Sequence, residues 1–62
     1  MYCVSKEESP NHWVKQSYFH NEFKAWVCAR KKSRAEMCTY KVVDEATNEV
    51  TSIVRHGKGL VG

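Results

Sequence analysis

A chain of 62 residues with ten Lys and Arg against seven Asp and Glu carries a formal charge of +3. A chain that short makes one domain, buries only roughly 60% of the surface its unfolded form exposes, and leaves little room for an enclosed active site. The charge is milder than the clustered charge of a dedicated nucleic-acid binder, no apolar run is long enough to span a membrane, and no signal peptide is recognisable, so the sequence reads as that of a cytoplasmic protein.

In chain order, Tyr2-Cys3-Val4-Ser5 reads as a short strand and Lys6 to Asn11 as a polar turn, with Pro10 where no ladder donor is wanted. His12 to Phe19 reads as a second strand. Its parity is mixed: Val14 and Tyr18 alternate with Lys15 and Ser17, whereas Trp13 and Phe19 fall on the opposite side. A helical start at or before Ser17 is the competing reading. The segment from Asn21 to Met37 predicts a helix, with Asn21 as N-cap, Glu22 at the positive end of the dipole, and no Gly or Pro between Lys24 and Ala35. At about 100° per residue, Phe23, Trp26, Val27, Ser33 and Met37 share one face, expected to be the buried one. Arg30 would snorkel from that stripe, and Ala25, Lys32 and Glu36 would point away.

Thr39 to Arg55 carries two β-branched runs around the polar segment Asp44 to Glu49 and predicts a hairpin. Asn48 is the expected left-handed position, which suits a type I turn closed by a bulge. Whether Val42 or Val43 faces inward is left open by the pattern. The order strand, strand, helix, strand, strand predicts an α+β fold of two layers, an antiparallel sheet of about four strands with one helix on one face. Residues 1–56 make this domain, and the glycine-rich residues 57–62 read as a flexible tail.

Cys3, Cys28 and Cys38 form neither a disulfide framework nor a metal-ligand pair, and read as small hydrophobes. Cys28 would be exposed on the helix and without the base that a nucleophile needs. The acids Glu7, Glu8, Asp44, Glu45 and Glu49 fall in the two hairpin turns, expected near one end of the sheet. No phosphate-binding glycine loop or catalytic triad context appears. The expectation is a protein that is not an enzyme and carries no cofactor and no metal.

What remains is a binding surface. Lys24, Lys31, Lys32 and Arg34 make a basic helix flank that is either solvated or drawn to phosphate or an acidic protein surface. Lys41, Arg55 and Lys58 extend it only if the second hairpin faces the same way. If Val14 faces the helix, Trp13 lies on the open sheet face as a candidate anchor. The candidate partner-binding set is therefore Trp13, Lys24, Lys31, Lys32, Arg34 and Arg55.

Over Tyr2 to His56, through its first hairpin, the helix Glu22 to Glu36 and the hairpin Tyr40 to Val54, the chain resembles small bacteriophage proteins that disable host machinery. That group includes anti-CRISPR proteins and phage inhibitors of host RNA polymerase. The resemblance is one of topology, and it implies a stoichiometric inhibitor covering a nucleic-acid-binding or subunit surface of a large complex. The expected partner is a host protein or ribonucleoprotein complex, bound by a monomer or homodimer away from any membrane. A small basic regulator in direct contact with nucleic acid is the alternative.

Overall fold

The computed structural model describes residues 1–56 together with the backbone of Lys58 and Gly59. The elements are β1 (Tyr2–Ser9), β2 (His12–Phe19), α1 (Glu22–Glu36), β3 (Thr39–Asp44), β4 (Glu49–Arg55) and a short β5 (Lys58–Gly59). They form the expected α+β fold: one antiparallel sheet in the order β2-β1-β3-β4-β5, with α1 on one face. The tail expected from residue 57 onward is in part a strand, since Lys58 and Gly59 pair with β4; residues 57 and 60–62 lie outside the described residues.

The first strand is longer than its apolar run. Lys6 to Ser9 were expected in the turn, but Lys6 pairs with Val14 and with Tyr40, and Glu7 pairs with Trp13. Ladder hydrogen bonds ask nothing of the side chain, and here polar residues continue the strand beyond Lys6 on pairing with β2. The reversal is confined to Pro10 and Asn11, where Asn11 takes φ 63°. In the second hairpin Asn48 adopts φ 63°, as its side chain predicted, and its N–H donates to the Asp44 carbonyl. The central pair is β1 with β3, which places Tyr2 opposite Asp44. The two hairpin turns therefore lie at opposite ends of the sheet, not at one end as the acidic residues were read to suggest.

Both hairpins carry a bulge. In the first, Val4 pairs with Ser17 and Ser5 with Lys15, so Gln16 is the extra residue. This resolves the mixed parity of β2: Val14 shares a face with Lys6 and Phe19 reaches the core, whereas Trp13, Lys15 and Tyr18 share the face without the helix. In the second, Val42 pairs with Ser52 and Val43 with Val50, so Thr51 is extra. Val42 and Val54 face the helix and are fully buried; Val43 faces away.

The helix sits on small residues. Asn21 caps it, its side chain accepting from the Lys24 N–H at 3.1 Å. The buried positions are Ala25, Ala29 and Ser33, one turn apart, against Val4, Tyr40, Val42 and Val54. This corrects the expected stripe. Phe23 and Met37 are 68% and 63% exposed, and Ala25, read as pointing outward, is wholly buried. Glu36, also read as outward, reaches the sheet through Tyr40. Alanine and serine let the helix axis lie close to the sheet, and the bulk filling the layer comes from Tyr40 and the valines below. Cys28, expected to be exposed, is half-buried at the edge of this core.

Candidate functional site

The six residues proposed from sequence do not form one patch. Lys24, Lys31 and Arg34 are exposed on α1, and Lys32 is half-buried at its margin. Trp13 is on β2 and Arg55, paired with Thr39, on β4; both lie on the sheet face that the helix leaves open. Lys41 shares that open face, so the second hairpin does not extend the basic flank of the helix. Two separate surfaces result.

The outer face of α1 holds a cluster that the sequence hid in the core. Phe23 and Trp26 have ring centroids 6.0 Å apart, and the Arg30 guanidinium lies 5.5 Å from the Trp26 ring centroid. Trp26 is half-buried, one edge against the core and the rest toward Phe23 and Arg30. At the helical period Phe23, Val27, Arg30 and Arg34 follow one line along the exposed side, with Lys24 and Lys31 beside them. The surface is thus a strip of aromatic and aliphatic carbon bordered by four cationic side chains, counting Arg30 but not Lys32. The signal that could have located it is the run Ala25, Ala29, Ser33: small residues at one-turn spacing compete with the aromatics for the sheet.

The open sheet face holds a shallow depression of about 160 Å³, lined by Cys3, Ser5, Trp13, Lys15, Lys41, Val43, Glu45 and Asn48. Its floor is β1, where Cys3 and Ser5 are nearly inaccessible and their side chains touch, Sγ to Oγ 3.6 Å. The Lys41 ammonium stands 4.4 Å from the Trp13 ring centroid, spanning β1 from β3 to β2. Lys15 pairs with Glu45 at 3.6 Å across the rim. Tyr18, half exposed, continues the row along β2.

The titratable groups with clearly displaced pKa values lie elsewhere, at the C-terminal end of α1. Hydrogen bonds from Lys6 and Tyr40 hold the Glu36 carboxyl below its ordinary range. Burial, followed by the nearby Glu36 charge, pushes the Cys38 thiol up. A thiol so placed keeps its proton and is a poor nucleophile. Glu36 joins helix to sheet in a structural role. No group of three or more His, Cys, Asp or Glu converges as a metal site among the described residues. Comparison with protein-family models, with curated proteins and with solved structures found no match to this chain.

Proposed function

We propose that this protein acts by binding, as a non-catalytic inhibitor that a phage or mobile element directs at a host macromolecular complex, with an effector complex of CRISPR immunity as the specific target. The observation that carries the reading is the outer face of α1. Phe23 is 68% exposed beside Trp26 and Arg30. Exposed aromatic surface rimmed by charge marks a contact site, and Trp and Arg are the side chains that most often dominate an interface. The flanking Lys24, Lys31 and Arg34 match an acidic partner surface and would speed the encounter. The small size and two-layer ββαββ plan, shared with phage inhibitors, support the same reading. It implies action in the host cytoplasm; among the described residues no helix is long and apolar enough to cross a membrane.

The test is target cleavage by a panel of guide-loaded CRISPR effectors with the protein added at equal concentration. Inhibition of at least one effector is expected, relieved by the double substitution Phe23→Ala and Lys31→Glu in a protein whose circular dichroism is unchanged. Failure to inhibit any effector removes that target. Inhibition undiminished by the double substitution removes the helix face as the contact.

A further inference from the structure

We propose that the open face of the sheet is a second, independent binding surface, and that it takes single-stranded nucleic acid. Three observations converge on it. First, the Gln16 bulge puts Trp13, Lys15 and Tyr18 in one row along β2, where unbroken alternation would turn Tyr18 to the helix side. Bulges commonly re-aim a side chain in this way, and here the result is an aromatic, a cation and an aromatic on one surface, with Tyr18 50% exposed. Secondly, Lys41 is half-buried and, among the described residues, ion-pairs with no carboxylate; its ammonium is held over the Trp13 ring instead. Thirdly, among the described residues Lys15 ion-pairs only with the rim carboxylate of Glu45, in an exposed pair that a phosphate can displace.

The chemistry of the face fits a strand better than a small molecule. A depression of about 160 Å³ is well below the roughly 300–1,000 Å³ of a site that encloses a ligand. It fits one phosphate with part of its nucleotide, the rest of the chain running across the sheet. Lys41 and Lys15 meet that phosphate, with the Ser5 hydroxyl beneath. Tyr18 stacks a neighbouring base, and Arg55 on β4 meets the backbone further along. Aromatic stacking plus tracking cations is the general means of holding single strands, and it requires no sequence readout. Glu7, on the same face beside Trp13, sets the limit of the positive surface and directs the strand toward Tyr18.

The experiment is fluorescence anisotropy with labelled oligothymidine and oligouridine of about twelve nucleotides, and a duplex of equal length as the third arm. Both single strands are expected to bind and the duplex to bind more weakly. A preference between DNA and RNA strands identifies which is the natural ligand. Tyr18→Ala should weaken binding about tenfold, and Lys41→Gln should lower the slope of log affinity against log salt by about 0.7, one phosphate contact's worth. Phe23→Ala, on the opposite face, should change neither. No single-strand binding at about 50 mM salt overturns the proposal, as does equal loss from Phe23→Ala and Tyr18→Ala. Tyr18 is exposed enough that its substitution leaves the fold intact, which thermal melting confirms. The inhibitor reading stands or falls separately, since it rests on the helix.

Discussion

The hydroxyl of Tyr40 donates to Oε1 of Glu36 at 2.9 Å, fastening the last turn of the helix to the central strand beneath it. The Lys6 ammonium lies 3.0 Å from the same oxygen, so one carboxylate joins α1, β3 and β1. Tyr40 is also the largest wholly buried side chain of the core. Its ring fills the layer while its hydroxyl reaches the rim, which a phenylalanine could only half replace. Tyr40→Phe should lower stability by about 1 kcal/mol, measured by urea denaturation.

This arrangement gives stability a defined pH range. Glu36 is held below its ordinary value of 4.5 by Lys6 and Tyr40. Its contribution is present above that value and is lost as pH falls through the folded-state pKa, because the folded carboxylate must then be protonated. On the alkaline side, burial and the bond to Glu36 push Tyr40 far above its ordinary 10.0, and the Glu36 bond raises Lys6 above 10.5. Those contributions are full below the ordinary values and are lost as pH rises past them. The urea midpoint should therefore be flat from about pH 5 to pH 9 and fall on both sides. Glu36→Gln should flatten the acid limb; an unaltered acid limb in that variant would show that another group controls it.

The helix seat is specified by size. Ala25 and Ala29 are both fully buried, and a larger side chain there must lift the helix from the sheet. Ala29→Leu is expected to cost about 1–3 kcal/mol, although it adds apolar surface, whereas Phe23→Ser should be close to neutral. Chemical denaturation of the two variants side by side decides the matter. The opposite ranking would restore Phe23 to the core.

Met37 ends the helix at φ 55°, a left-handed conformation for which its Cβ is poorly suited, and its N–H and that of Cys38 both reach the Ser33 carbonyl. The side chain is 63% exposed and contributes little burial in return. Met37→Gly should raise stability by up to about 1 kcal/mol. A lower melting temperature in the variant would mean that the side chain has a contact outweighing its backbone strain.

Deleting Gln16 removes the first bulge. Lys15 is then followed directly by Ser17, so plain alternation keeps Tyr18 on the open face and Phe19 in the core. A change of no more than about 1 kcal/mol is expected in urea denaturation, since no buried side chain moves. Oligonucleotide binding should be retained; its loss in a folded variant would show that the extra residue itself, and not the row of side chains, is needed.

What could be read in advance was the local chemistry. Asn21 as a cap, Asn48 at positive φ and the bounds of β2 each depend on a few neighbouring residues, and each is found where those residues predicted. The buried face of α1 depends on something else. A count of apolar residues weights Phe23, Trp26 and Met37 heavily and Ala25, Ala29 and Ser33 hardly at all, yet distance of closest approach favours the second set. The Gln16 bulge has no residue signature, so the faces of β2 could not be assigned. The division of Trp13 and Arg55 from the lysines of the helix follows from sheet order, which no stretch of sequence encodes alone.

The position of β1 has a consequence for how the molecule is made. The strand that comes before the others in this sheet lies inside it, paired on one side with β2 and on the other with β3. Its second neighbour does not exist until residues 39–44 have been translated. Chains stopped before that point leave one edge of β1 unpaired, an edge of the kind that invites aggregation. Closure of the central strand pair therefore waits for β3, the strand that also brings Tyr40 and Val42 beneath the helix.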